Sequence, residues 1–387
     1  MQPARPKITH VVRQFWPQKG GLEESVRQLC VTLRQNHDAD VSVVTLDRTF
    51  SDGQSHPAVE IVEGIPVRRL GYHGSNRYPV APGFLDATAG SDLIHVHAID
   101  FFFDALALAR PFRGIPMVAS THGGFFHTSF ASKLKSMYFA TVTRAACRAY
   151  AVIGASSEGD VALFRSIAGS RVEVIENGVD IEKWAGAASP VYVPTMIAIG
   201  RWSSNKNMEG MFALLAELRR TDPAWRLVIA GNPYDVSRAD LERWAAAHDA
   251  SAAVEIHAGP STEELAGLIG AASFFISLSD YEGFGLAAIE GLSAGLVPIL
   301  SDIVNYRIFV ERAGVGAVVA ADPMVAAMQV RALAADVAAD AGRCRTAAMA
   351  GAARYSWAGV AARWQQVYAS VLGQQPGFGR GDIGQAA

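Results

Sequence analysis

Two doubly wound α/β domains are what the amino-acid pattern of this 387-residue chain predicts. Short apolar, often β-branched runs alternate with helical patterns through both halves, and such alternation means βαβ units and parallel sheets. The runs fall into two series of five to seven, and the length suits two hydrophobic cores. Periodicity lapses around 180–194, where Pro190 and Pro194 occur.

In the first series, strands are expected at 8–12, 41–46, 65–70, 93–96, 116–120, 151–154 and 172–175, with helices at 21–36, 130–148 and 157–167. In the second, strands are expected at 195–200, 226–230, 254–257, 273–278, 296–300 and 316–319, with helices at 207–220, 237–248, 262–270, 285–294 and 324–353. A last helix over 357–373 carries large aromatics. The domains are therefore placed at 1–182 and 190–355.

The net charge of −3 gives no reason to expect nucleic acid as a partner. Cys30, Cys147 and Cys344 are scattered, without metal-ligand spacing, which suits a reducing, cytoplasmic compartment. No apolar run reaches the ~18 residues of a spanning helix, and the N-terminal apolar stretch is too short for a secretory signal. An Ala-rich stretch at 326–353 is the one biased segment, and no internal repeat is evident.

The most informative residues are Glu282-Gly-Phe-Gly-Leu-Ala-Ala-Ile-Glu290, between the runs SFFISL and LVPIL. They read as strand, glycine turn, helix, strand. A helix that opens after Gly285 presents unpaired N–H groups and a positive dipole end, which suits a phosphate. Gly283 and Gly285, with Phe284 and Leu286, would bring backbone close to an anionic ligand. Two acids beside a phosphate site repel it unless they accept hydrogen bonds from hydroxyls. Glu282 and Glu290 therefore suggest a sugar and a ribose on a nucleoside diphosphate. A competing reading takes Gly283-x-Gly285-x-x-Ala288 as a dinucleotide fingerprint, with Asp302 as the ribose acid.

Other candidates follow strands in the same way. Arg201 and Lys206 sit in RWSSNKN after 195–200, where two cations can hold a leaving diphosphate. Gly20-Gly21 precede the first amphipathic helix and would offer backbone amides. His122 follows 116–120 in THGG and can reach a hydroxyl. His95 and His97 share one strand face; with no third ligand evident, they are read as structural or acceptor-side. Asp38-Ala-Asp40 resembles a metal-binding Asp-x-Asp but lies at the wrong end of a strand, so it reads as a turn and no metal is expected.

These motifs resemble those of retaining glycosyltransferase family 4. Glu-x7-Glu at Glu282 and Glu290, Gly-Arg-x4-Lys-Asn at Gly200–Asn207, the Gly-Gly loop, His122 and Asn177-Gly-Val-Asp180 occur in the family's order along nearly the whole chain. The resemblance implies the GT-B fold: two Rossmann-like domains, the active site in the cleft between them, and the last helix packed back on the first domain. It implies that His122 and Glu282 contact the donor sugar, that Glu290 holds the ribose, and that transfer retains configuration without a cofactor. The opening HVVRQFWPQKGGLEE is similar to bacterial exopolysaccharide mannosyltransferases. That implies α-mannose from GDP-mannose passed to an oligosaccharide on polyprenyl diphosphate. UDP-glucose or a similar donor, or another acceptor, is the alternative within the family. Outside it stand a dinucleotide oxidoreductase, which leaves Glu290, Arg201 and Lys206 unexplained, and a non-catalytic sugar-binding module, which needs no paired cations.

Residues 105–157 contain no acid, in a chain with 37 of them. Bases including Lys133, Lys135, Arg144 and Arg148 interleave there with Phe130, Leu134, Met137 and Tyr138, which fall on one helical face. A basic amphipathic helix suits an anionic bilayer surface. The expectation is a peripheral protein at the inner face of the cell membrane, meeting a lipid-linked acceptor.

Overall fold

The computed structural model describes residues 5–18, 20–36, 39–76, 78–122, 136–282 and 284–373. The chain forms two compact units: residues up to Gly178 together with those from Trp357 onward, and Val179–Ser356.

The first unit contains β1 (Lys7–Val11), β2 (Asp40–Leu46), β3 (Val59–Val62), β4 (Ile65–Leu70), the small hairpin β5 (His73–Ser75) and β6 (Tyr78–Val80), β7 (Leu93–His97), β8 (Met117–Ser120), β9 (Val152–Ala155) and β10 (Val172–Val174). Its main sheet runs β10-β9-β8-β7-β1-β2-β4-β3, parallel except where β3 meets β4. Every residue of β7 is buried, because helices cover both faces of the sheet. Ile94 and Val96 join a core with Phe102, Phe103, Tyr150 and Phe164. Leu93 joins the opposite core, with Val26 and Leu33 of helix Gly21–Asn36 and Trp364 and Tyr368 of helix Trp357–Val371. Alternation puts His95 and His97 on that second face. A Cβ on Gly154 of β9 would lie 2.6 Å from the Trp364 ring, so only glycine lets the last helix seat there.

The second unit contains β11 (Thr195–Ile199), β12 (Arg226–Gly231), β13 (Val254–Ala258), β14 (Phe274–Ser277), β15 (Val297–Ser301) and β16 (Ala317–Val319). All neighbours are parallel, in the order β13-β12-β11-β14-β15-β16. Trp202, Phe212, Phe274, Phe275 and Tyr306 are fully buried in its core. Each such side chain contributes roughly 1.5–3 kcal/mol by leaving water. The chain winds outward from β11 to β13, then returns to β14 on the other side of β11. Strand order thus reverses between β11 and β14, and a crevice opens at the carboxyl ends of strands at such a reversal.

Several elements differ from the sequence reading. Helix Phe101–Arg113 was not expected; Asp100 caps it by accepting from Phe102 N at 2.9 Å, and Gly114 closes it in the left-handed conformation. Helix Val304–Ala313, closed by Gly314, was also unexpected. The span 324–353 is two helices, Pro323–Ala339 and Ala341–Ala353, because Asp340 ends one and caps the other. In 130–148, the described part after residue 135 includes a π-helical turn, Phe139–Thr143, followed by short α and 3₁₀ pieces. Asp40 opens β2 instead of sitting in a turn, while Asp38 lies outside the described residues.

Candidate active site

The reversal in the second unit builds a cluster of polar side chains. The loop after β11 carries Arg201, then a single 3₁₀ turn, Ser204–Lys206. Asn207, left-handed at φ 45°, starts helix Met208–Arg219 by accepting from Gly210 N at 3.3 Å. Asn205 ties this loop to the one after β14: its carbonyl accepts from Asp280 N at 2.9 Å, and its Nδ2 donates to the Tyr281 carbonyl at 3.2 Å. The result brings Lys206 and Glu282, 76 residues apart, into an ion pair through Glu282 Oε1. That oxygen also accepts from Ser279 Oγ at 3.0 Å and Tyr306 Oη at 3.3 Å. The two side chains are only 21% and 15% exposed, so the pair is better shielded from solvent than a surface salt bridge. Burial and the Glu282 charge push the Tyr306 phenol well above its ordinary value, which keeps it a hydrogen-bond donor. Arg201 is exposed and lies 4.9 Å over the Tyr234 ring.

Helix Leu286–Ala294 opens beside this pair. Gly285 stands at its N-terminus with φ 88° and no side-chain cap, and the first turn holds no acid. A Cβ there would also meet Phe309 at 2.9 Å, so the turn requires glycine. Ala288 N already donates to the Gly285 carbonyl at 3.0 Å, so the amides of Leu286 and Ala287 are the ones this helix start offers an anion. Gly283 lies outside the described residues. Phe284, expected at the donor through its backbone, packs its ring edge-on against Phe309 and Tyr355. Leu286 is 46% exposed.

Glu290 lies further along this helix, half-buried. Burial raises its carboxyl pKa, Lys183 opposes that shift, and Asp180 adds to it. A carboxyl raised on folding costs stability above its folded pKa, and that cost disappears as pH falls through it. Glu290→Gln should therefore raise Tm at neutral pH but not at about pH 3, below the ordinary glutamate value. Glu290→Ala should raise the donor KM or remove activity. An unchanged donor KM in a folded Glu290→Ala protein would remove Glu290 from the site.

In the first unit, the loop at Gly20-Gly21 is less open than the sequence suggests. A Cβ on Gly20 would lie 2.2 Å from Glu23 Oε2, so the Glu23 carboxylate folds over that helix start, and burial raises its pKa. An anion would have to displace it. Arg13 pairs with buried Asp100 at 2.8 Å; burial raises that carboxyl to about 6, against the pull of Arg13.

His122 follows β8 by two residues, in a left-handed conformation, φ 50°. Its Nε2 lies 2.9 Å from His97 Nδ1, and His97 Nε2 lies 2.9 Å from His10 Nδ1. No third partner for His95 and His97 is evident from the sequence. His10 is that partner, supplied by β1, where it stands opposite His95. Ring nitrogens of His10, His95 and His97 lie within 4.8 Å of one another, the grouping among the described residues that could hold an ion. Their arrangement suits hydrogen bonding better. Imidazole lone pairs lie in the ring plane, and the His95 and His97 rings are stacked 4.1 Å apart, so they do not converge on a point. Both His95 nitrogens are also engaged, at 2.7 Å each, by Tyr368 Oη and Ser120 Oγ.

Lys133 and Lys135 lie outside the described residues. Arg144 and Arg148 are exposed, as is Met137. The Tyr138 hydroxyl donates to Asp104, while Phe130 and Leu134 of the expected face lie outside the described residues. Helix Phe101–Arg113 adds two exposed apolar residues one turn apart, Leu108 at 78% and Phe112 at 87%. Among the described residues, no helix is long and apolar enough to cross a membrane.

Residues 19–183 match the family described as Glycosyltransferase Family 4, and 186–344 match Glycosyl transferases group 1. A Xanthomonas oryzae protein named GDP-mannose:cellobiosyl-diphosphopolyprenol alpha-mannosyltransferase is 46% identical over 95% of this chain and 97% of its own. The chain belongs to the family 4 glycosyltransferases. A protein of the same name from Komagataeibacter xylinus is 42% identical to this glycosyltransferase, over 95% and 94% of the two chains. A solved glycosyltransferase from Rickettsia africae shares the fold of this enzyme at TM-score 0.72 and 16% identity, covering 96% of this chain and all of that one. The two Rossmann-like units are those of the GT-B fold. The dinucleotide alternative is overturned by this membership; Asp302, its ribose acid, is exposed and paired with Arg307.

Proposed function

We propose that this enzyme transfers α-mannose from GDP-mannose, with retention of configuration, to a cellobiosyl unit on polyprenyl diphosphate during exopolysaccharide assembly. The observation that carries this is 46% identity, over 97% of its length, to a relative named for that donor, sugar and acceptor. The Lys206–Glu282 pair beside the uncapped helix start supports the chemistry. In the second unit Glu282 accepts from hydroxyls of the sugar and Glu290 from the ribose; in the first, His122 meets a sugar hydroxyl, as the family resemblance implies. The amides after Gly285, together with Lys206 and Arg201, take the diphosphate, so no metal ion or other cofactor is needed. The acceptor hydroxyl attacks from the side the diphosphate leaves, and the departing phosphate takes its proton. Purified enzyme offered a panel of GDP- and UDP-sugars should hydrolyse GDP-mannose fastest, and EDTA should not stop it. Preference for UDP-glucose, or an absolute divalent-metal requirement, would overturn the donor or the electrostatics.

The acceptor sits in a bilayer, and exposed Arg144 and Arg148 with Leu108, Phe112 and Met137 supply the anchoring surface, to which the sequence adds the bases Lys133 and Lys135. Each base near an anionic surface contributes about 1 kcal/mol, which gives salt-sensitive attachment and not insertion. Changing the four bases to Gln should release the enzyme from anionic liposomes and slow transfer to a lipid-linked acceptor while sparing donor hydrolysis. Wild-type enzyme left in the supernatant at low salt would refute the patch.

A further inference from the structure

The first unit contains a row of imidazoles of which the chemistry above uses only the last. His10 and His97 are fully enclosed between β1, β7 and the last helix, and His122 sits at the strand end. Burial lowers the pKa of His10 to about 3 and of His122 to about 4, and takes His97 well below the ordinary value. Neighbouring His95, His10 and His122 deepen the His97 shift, while the Asn177 side chain opposes the one at His122. All three rings are therefore neutral at physiological pH.

A neutral imidazole has one N–H and one lone pair. Three rings joined by two hydrogen bonds use two of each, so one N–H and one lone pair remain, at opposite ends. Those ends are His10 Nε2 and His122 Nδ1, neither of which is geometrically paired among the described residues. They are not equivalent. His10 Nε2 lies deep in the core, where an orphan N–H is the rarer and costlier fault. His122 Nδ1 is buried as well, but it belongs to a part-exposed residue at the end of the row, and the Asn177 side chain beside it favours a proton on the ring. The surplus N–H therefore belongs on His122 Nδ1. The left-handed backbone at His122, unusual for a residue other than glycine, turns its Nε2 onto His97.

We propose that His10 and His97 are positioning residues that lock His122 in the Nδ1–H tautomer, so that a ligand meets a hydrogen-bond donor there and Nε2 is never free to act as a base. The lock stands on the histidine geometry and on Asn177 beside His122; its kinetic consequence rests on the reading of His122 as a donor-sugar contact.

The test is a long-range ¹H–¹⁵N correlation spectrum of the full-length enzyme labelled with ¹⁵N-histidine, with signals assigned through His122→Ala and His97→Leu. His10, His97 and His122 should all be protonated at Nδ1. An Nε2–H on wild-type His122 overturns the lock, and that spectrum needs no variant to fold. In transfer assays, His97→Leu should lower kcat about tenfold, the worth of one hydrogen bond. His97→Asn, whose amide nitrogen takes the place of Nδ1, should recover most of that loss and keep His122 as Nδ1–H. Equal losses in the Leu and Asn variants would overturn the positioning role. If His122→Ala transfers mannose at the wild-type rate, the donor-contact reading fails, and the spectrum still decides the tautomer.

Discussion

Lys206→Ala should lower kcat for mannosyl transfer by ~10²–10³, the usual loss when one fixed group that stabilises developing charge is removed. As the glycosidic bond breaks, the diphosphate gains negative charge. In the proposed reaction Lys206 meets that charge; it is positioned by the short turn Ser204–Lys206 and by the tie from Asn205 to the Asp280–Tyr281 backbone. The variant also leaves Glu282 partly buried without its cation, and that alone lowers stability. The double variant Lys206→Ala/Glu282→Gln separates the two effects. It should regain Tm relative to Lys206→Ala but not regain kcat. Arg201→Ala should cost less, because the exposed guanidinium stacked on Tyr234 has to move to reach a phosphate. Near wild-type kcat in both single variants would place the diphosphate elsewhere.

The second large effect is expected at Gly231, the last residue of β12. Its φ is 154°, and a Cβ there would lie 1.7 Å from the carbonyl oxygen of Gly200. That oxygen belongs to backbone, held by the bond from Gly200 N to the Ala230 carbonyl at 3.0 Å, so it cannot swing away as a side chain would. Gly231→Ala must part the ends of β11 and β12 or abandon the conformation, at a cost of ~3 kcal/mol or more. Because Gly200 leads directly into Arg201 and Lys206, activity should fall along with Tm. A Gly231→Ala enzyme with wild-type Tm and kcat would show that this close approach is not needed.

Most strands were legible because buried parallel strands leave continuous apolar runs, and ITHVV, DLIHV and SFFIS can hardly be anything else in an alternating chain. Helix Phe101–Arg113 escaped because its three leading phenylalanines lack helical spacing, although its Asp100 cap and Gly114 stop were both present in the sequence. The two halves of the Lys206–Glu282 pair were legible as motifs. That they touch follows from strand order, which no local pattern reports. His10 was invisible as a partner of His97 because ITHVV reads as plain strand and the contact spans 87 residues. The Glu23 carboxylate over Gly20 likewise depends on one rotamer, which spacing does not encode.

The last helix has a consequence for how the polypeptide is made. The first unit opens the chain, yet it is finished by Trp357–Val371, which emerges from the ribosome only after all of Val179–Ser356. Until then the groove along Gly154 that Trp364 fills is bare, and His95 lacks the hydroxyl of Tyr368. The amino-terminal half therefore waits, incompletely closed, while the carboxyl-terminal sheet is synthesised and can fold ahead of it. A premature stop before Trp357 would not merely trim a tail: it would strand the earlier-made half without its lid, exposed to proteases, while the later-made half stayed whole.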